Sequence, residues 1–359
     1  MSVIINNYEI TKGLVRDLGN LNALHDQTAM VAKLPNIPTL LSNLVSPEEM
    51  FLQTNIFEFD YSTYTQTMPG DKAYNERGLV SNERKVTKTH LFKVPSFGLQ
   101  GHIRPQDVLR RRKAGTDNVL ETKEQVILED IAAMRRAWAL LSEKAIAHAI
   151  TTGTLYVPNQ TVAAVDFYQE FTGVAASLRP SVNFDLNNAT FYPREAGEDA
   201  RAKINDNLLE GQTVLGYIAL CGRNFFKKRI SHPKEEQAMV DRQGIDNQDP
   251  LIKRLGNFAQ QYRMYRGADD ILYIQYDAKI GGTALIADDE CYIMPVGAAG
   301  VFSKAYAPAE TTSYVNTVAQ REYFWRFDGE FDGTKLFMES NFGMYLVNPN
   351  LIIKGTVSA

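Results

Sequence analysis

From Glu121 to Ile150 the chain carries neither glycine nor proline. Inside that stretch Ile127, Ile131, Met134, Trp138, Leu141 and Ala145 recur at alternating spacings of four and three. This is the stripe that an α-helix turns toward a core. Glu129, Arg136 and Glu143 fall at sevenfold spacing on the opposite side, where solvent or a partner's polar surface suits them. Alanines such as Ala132, Ala133 and Ala137 add helix propensity at no side-chain entropy cost. A helix over 121–150 is about 45 Å long at roughly 1.5 Å per residue, enough to back a whole sheet. Leu128, Leu140, Ile146 and Ile150 lie off the main stripe and predict a second covered face.

Elsewhere the pattern predicts strands and shorter helices. Residues 1–36 are weakly patterned and read as an arm, and Ser46-Pro47-Glu48-Glu49 reads as a helix start. Ile56, Phe57, Phe59 and Tyr61 make 55–64 a strand. From Asn82 to Val94 the chain favours an extended form but carries charge on both faces. A strand polar on both sides cannot lie on a core, so 65–103 reads as a hairpin projecting into solvent, with a long surface loop as the alternative. Residues 155–157 and 161–168 read as a strand pair, 193–209 as a second helix and 224–230 as a third. Strands are expected at 214–220, 262–264, 271–276 and 291–296. The C-terminal part adds 323–327, 336–338, 344–347 and 351–353.

Composition narrows the function classes. Apolar residues make up 44% and charged residues 22%, as in an ordinary folded protein. A net charge of −4 gives no general nucleic-acid footprint. Cys221 and Cys291 are expected as buried thiols rather than a disulfide. The five histidines are scattered singly, so no zinc spacing appears and no metal or other cofactor is expected. No apolar run reaches the length of a membrane span, and Met1 to Ile10 lacks the basic-then-apolar signal pattern, so a non-exported chain without a membrane partner is expected. Arg104, Arg110, Arg111, Arg112 and Lys113 form a basic connector ahead of the long helix. Such a run serves solvated or interface ion pairs more often than a nucleic-acid site.

Two chemical constellations compete with simpler readings. Asp328, Glu330, Asp332, Gly333 and Glu339 approximate a calcium loop, yet Tyr323 to Phe327 enters as a strand, and Asp-Gly twice within six residues is what a tight β-turn needs. Glu330 and Asp332 could serve as the acid and base of a glycosidase, but the turn explains them. His148 reads as a packed or helix-dipole histidine rather than a general base. No nucleophile elbow, metalloprotease helix or phosphate-cradling loop occurs, so no catalytic residue is assigned.

The order of hairpin, basic connector, long helix and strand-rich C-terminus resembles the phage-lambda-type major capsid protein E family. The carriers are Pro35-Asn36-Ile37-Pro38-Thr39-Leu40-Leu41, Ile103-Arg104-Pro105-Gln106-Asp107-Val108 with Arg110-Arg111-Arg112, the helix with Glu121 and Glu124, and the terminal stretch from Ser340 to Pro349. The departure is Asn341-Phe342-Gly343, where members often carry a Pro-Leu-containing version. The resemblance implies an α+β Hong-Kong-97-type shell fold. Its parts would be an N-arm (1–46), an E-loop region (47–103), a peripheral domain (104–211) with the spine helix, an inserted axial domain (212–315) and peripheral return strands (316–359). It also implies a structural subunit that forms hexamers and pentamers of an icosahedral virion shell and is made in the bacterial host cytoplasm. Scaffold, portal and decoration proteins are further expected partners, and double-stranded DNA is enclosed without sequence-specific contact. Arg84, Lys85, Lys88, Lys93 and Arg110 to Arg112 are the expected inter-subunit contacts. An encapsulin-like compartment shell enclosing a cargo enzyme is the alternative, and an ordinary enzyme a distant third.

Overall fold

The computed structural model describes residues 24–26, 39–63, 86–109, 122–160, 162, 164–208, 212–241, 262–280, 282–298, 300–329 and 333–357. Most of the expected N-arm, Arg84, Lys85, Arg110 to Arg112, Glu330 and Asp332 lie outside the described residues.

The helices are α1 (Leu40–Val45), α2 (Pro105–Val108), α3 (Lys123–Thr152), α4 (Phe167–Thr172), α5 (Pro193–Asp206), α6 (Arg223–Ile230) and α7 (Pro233–Asp241). The long helix is α3. It opens on a capping box in which the Gln125 side chain accepts from the Thr122 backbone N–H, and it closes on Gly153, whose φ of 72° only glycine adopts without strain. Ile127, Ile131, Trp138 and Ala145 are buried as the stripe requires, and Met134 and Leu141 are half-buried against the same core. On the second face Ile146 and Ile150 are buried and Leu128 is half-buried, but Leu140 is 51% exposed. Glu129 and Arg136 are exposed, whereas Glu143, expected beside them, is buried.

The strands are β1 (Leu24–Asp26), β2 (Glu48–Phe51), β3 (Ile56–Thr63), β4 (Val86–Lys93), β5 (Ser96–Ile103), β6 (Ser181–Phe184), β7 (Gly216–Cys221), β8 (Met264–Arg266), β9 (Ile271–Gln275), β10 (Lys279–Ile280), β11 (Thr283–Ala284), β12 (Glu290–Val296), β13 (Phe302–Ala307), β14 (Tyr323–Gly329), β15 (Gly333–Leu346) and β16 (Ile353–Val357). The first sheet runs β1-β14-β15-β13-β2, and β5 also pairs with β15. Along one edge β15 pairs with β14. Along that same edge it pairs with β13 from Asn341 onward, and along the other it pairs with β5 from Thr334 to Asn341. Helix α3 packs on β15 and β5. The second sheet runs β6-β16-β12-β7-β9-β8. Its central strands are continuous apolar runs, Ile218 to Cys221 and Ile271 to Ile274, with almost no exposure, as a sheet covered on both faces requires. Apolar side chains of both sheets and the helices join in one cluster. Cys221 and Cys291 lie opposite each other on β7 and β12 as free, buried thiols.

Two local expectations are corrected. Ser46-Pro47-Glu48-Glu49 does not start a helix: α1 ends there on Ser46, whose φ is 43°, and β2 follows. Pairing with β13 decides the outcome, because propensity yields to a ready-made strand edge. Residues 155–157 and 161–168 make no strand pair beyond one bridge between Thr154 and Asp166. The Asp166 carboxylate instead accepts from the backbone N–H of Tyr168 and Gln169 and caps α4. Strand β13 joins the first sheet, while β6 and β16 join the second.

Candidate functional site

Strands β3 and β4 form a two-stranded ribbon in the register Ile56↔Lys93 through Thr63↔Val86. The expectation of a ribbon polar on both faces fails at its base. Phe57 and Phe92 face each other across the ribbon and are buried against Tyr345 of β15, with ring centroids 4.7 and 5.5 Å away. Phe59 and His90 continue that face onto Phe171 of α4, and the His90 ring lies 3.4 Å from the Glu170 carboxylate. The opposite face shows Ile56 (45% exposed), Glu58, Leu91 (63% exposed) and Lys93 to solvent. The base is thus a one-sided amphipathic ribbon, fixed to the core by aromatic rings and displaying apolar area outward. The charged residues Arg84 to Lys93 hid this alternation in the sequence.

Side chains tie α3 to its surroundings at several points. The buried Glu143 carboxylate accepts from the backbone N–H of Leu41 (2.9 Å) and Ser42 (3.4 Å), and from the Tyr276 hydroxyl (2.6 Å). It therefore caps the start of α1 and reaches the second sheet at once. Near the other end, the Arg179 guanidinium donates to the carbonyls of Thr151 (2.5 Å) and Ile150 (3.4 Å) and to the Tyr292 hydroxyl (3.2 Å). A cation there answers the negative end of the helix dipole. Lys123 in the first turn meets Asp328 at 3.1 Å, and Arg135 meets Glu322 at 2.9 Å. His148 is half-buried, its Nδ1 lies 3.1 Å from the Thr154 carbonyl, and burial lowers its pKa, which fits the packed role expected of it.

Asp328, the first acid of the calcium pattern, is already occupied. Lys123 and the Thr334 hydroxyl donate to one oxygen and Arg326 lies 2.6 Å from the other. Burial raises its pKa, but the bonds from Thr334 and Arg326 outweigh that and hold it below the usual value. Around it Gly329 pairs with Gly333 at the end of a β14–β15 hairpin. In the second sheet a buried network is likewise closed on itself. Arg229 reaches Glu235 at 2.6 Å and Asp269 at 3.0 Å, Tyr273 donates to Asp269, and Tyr265 donates to Glu235.

A cleft of about 970 Å³ opens between α3 and the edge formed by β2 and β13. Lys304 and Trp138 line it, with Phe51 stacked on Tyr306 at 5.2 Å. The Lys304 ammonium donates to the Ser142 hydroxyl (2.9 Å) and lies over the Tyr306 and Phe342 rings. Burial drives its pKa down to about 8.

Of the expected contact residues, Lys93 is exposed on the outer face of β4, opposite Ile56 in register, and Lys88 lies on β4 opposite Tyr61. The structure does not bring Lys93 to the cleft lining. Neither Glu143 nor Lys304 was singled out as a functional residue from the sequence. The one sequence signal for Lys304 is a lysine inside the short, largely buried strand Phe302 to Ala307.

With this geometry in hand, comparison with known proteins identifies the class. Residues 23–357 match the family described as Phage major capsid protein E, and the chain belongs to that family. It is 32% identical over 281 residues to the major capsid protein of Pseudomonas phage KPP10, covering 74% of this chain and 77% of the relative. It is 22% identical over 362 residues to the major capsid protein of Salmonella phage Felix O1, covering 92% and 95%. Among solved structures, a prophage capsid protein from E. coli CFT073 superposes with a TM-score of 0.59 at 12% identity, covering 94% of this chain and all of that one. The α+β fold is of the Hong-Kong-97 shell type. These phage relatives do not favour the compartment-shell alternative.

Proposed function

We propose that this chain is the major capsid protein of a tailed double-stranded-DNA bacteriophage or prophage, and that its copies close an icosahedral shell of hexamers and pentamers around the genome. Family membership supports the class, and one structural observation supports the mechanism. The ribbon β3–β4 is anchored by Phe57 and Phe92 while Ile56 and Leu91 stay exposed, so it spends one face on its own subunit and keeps the other for a neighbour. Synthesis in the host cytoplasm, residence in the virion, and partnership with scaffold, portal and decoration proteins belong to this reading. A net charge of −4 suits a container that does not grip its DNA, since each phosphate contact would add salt-dependent affinity.

In this reading 1–46 is the arm, 47–103 carries the projecting loop, 104–211 with 316–359 is the peripheral part, and 212–315 is the axial part. Arg84, Lys85, Lys88, Lys93 and Arg110 to Arg112 contact neighbouring subunits. The test replaces 64–85 with a tight turn joining Thr63 to Val86, the last register pair among the described residues. The expected product is a soluble subunit with the melting of the parent and no particles in electron micrographs. Reversing Arg84, Lys85 and Lys88 to Glu should also block closure, more severely at low salt where screening is weak. Normal particles from both variants would remove the segment from the assembly mechanism.

A further inference from the structure

The Lys304 side chain is held in an unusual position for a lysine. It projects from β13 into the cleft over α3, with aromatic rings beneath it and a single hydroxyl as hydrogen-bond partner. No carboxylate among the described residues lies within salt-bridge distance of it. The two acids of the cleft lining are committed elsewhere: Glu49 to Arg321 at 2.5 Å and Glu322 to Arg135 at 2.9 Å. The cleft thus holds three cations against two carboxylates, in a chain whose overall charge is negative. A desolvated ammonium without a counter-ion is unfavourable in an isolated subunit, and a lysine so placed is tolerated where a partner supplies the missing charge. The cleft is also large enough to admit a side chain together with apolar neighbours. Phe51 (42% exposed) and Val318 (55% exposed) line it and offer uncovered apolar surface.

We propose that the cleft beside Lys304 receives a carboxylate side chain from a second copy of this chain, so that the ammonium acquires its counter-charge only on assembly. The proposal rests on the shell reading above and adds the chemistry of one contact. A free inorganic anion is the competing occupant. A copy of the chain is favoured because its overall charge of −4 complements the one surplus cation, and because Phe51 and Val318 in the same lining offer apolar surface that a free ion would leave uncovered. The contact also links assembly to protonation. A free subunit holds this amine close to its titration range, and an arriving carboxylate moves it away from that range.

Three measurements on the full chain test this. Acetic anhydride labelling, read at Lys304 by mass spectrometry near neutral pH, should be at least about tenfold slower in particles than in dissociated subunits, since each unit of pKa rise removes about tenfold of the reactive free amine. A carbodiimide, which joins an amine to a touching carboxylate with loss of water, should give an inter-subunit amide at Lys304 in particles and none in dilute subunits. Lys304→Met should leave subunit melting unchanged or higher, because it removes an unpaired desolvated charge, and should make particles dissociate at lower denaturant. If that variant does not fold, Lys304→Gln keeps the polar contact to Ser142 and serves the same comparison.

Equal labelling in particles and subunits, or variant particles as durable as the parent's, would overturn the proposal. Protection of isolated subunits by inorganic phosphate, without a cross-link in particles, would assign the cleft to a free anion and overturn it too. Failure of the parent chain to form any particle would overturn the shell reading and this contact with it, a result distinct from the others.

Discussion

The Tyr276 hydroxyl donates a 2.6 Å hydrogen bond to the Glu143 carboxylate, joining the long helix to the residue that follows β9 in the second sheet. Burial, followed by the Glu143 charge, raises the pKa of Tyr276, which keeps it a neutral donor at all ordinary pH values. The same carboxylate holds the first turn of α1 through Leu41 and Ser42. One buried acid thus connects three elements that are far apart in sequence.

Replacing Glu143 with Ala should therefore destabilise the subunit more than an ordinary helix substitution. Each buried donor left without a partner costs about 1–3 kcal/mol. Tyr276→Phe, which removes one donor cleanly, should cost about 1 kcal/mol. Denaturant unfolding of both single variants and the double variant checks this, and strict additivity would show that the bond contributes no coupling.

The two sides of α3 should respond differently. Ile131→Ala removes a fully buried side chain and should cost about 2–5 kcal/mol. Leu140→Ala lies on the exposed side and should stay within about 0.5 kcal/mol. Thermal melts of the two proteins side by side are sufficient, and equal shifts would refute the assigned helix face.

Asp328 sets an acid limit. Its folded pKa is depressed by Thr334 and Arg326, so its contribution is complete above the unfolded carboxylate value of about 3.9 and is lost as pH falls through the folded value. Melting temperature should drop below about pH 4, and less steeply in Asp328→Asn, whose side chain has no charge to lose. Chelator or added calcium should leave the melting of the parent unchanged, because Lys123, Arg326 and Thr334 already occupy the carboxylate.

Adjacent residues of β4 should separate folding from assembly. Phe92→Ala opens a gap between Phe57 and Tyr345 and should cost about 3–5 kcal/mol of subunit stability. Leu91→Ser, on the outer face, should leave the melt unchanged and reduce particle yield. Particle counts beside melting curves read both effects.

What the sequence revealed tracks how local each cause is. The long helix was legible because its apolar spacing repeats over thirty residues, and its ends fell within two residues of those expected. The central strands of the second sheet were legible as short apolar runs for the same reason. Glu143 was misplaced because periodicity assigns it to the polar side, while its real environment is made by Leu41 and Tyr276, more than a hundred residues away on either side. Strand β2 was misread because nothing within Ser46 to Phe51 announces the edge of β13. The half-buried character of β4 was hidden by its charges, since Phe92 and His90 alternate with Leu91 and Lys93 rather than with polar residues alone. For Glu143 and β2 the deciding partner was distant in sequence, whereas the Asp166 cap that replaced the strand pair at 155–168 is local.

The parallel pairing of β2 with β13 sets an order of events in time. Glu48 pairs with Ser303, and more than two-thirds of the chain lies between them. A ribosome adding about 5–20 residues per second needs on the order of ten to fifty seconds to bridge that gap. Until β13 emerges, β2 has no edge to join, and the cleft lined by Glu49, Lys304 and Tyr306 does not exist. Contacts of such long sequence separation also form slowly once the chain is complete. Unfinished or truncated chains are therefore unable to present this surface, and selection for full-length subunits follows from the topology itself.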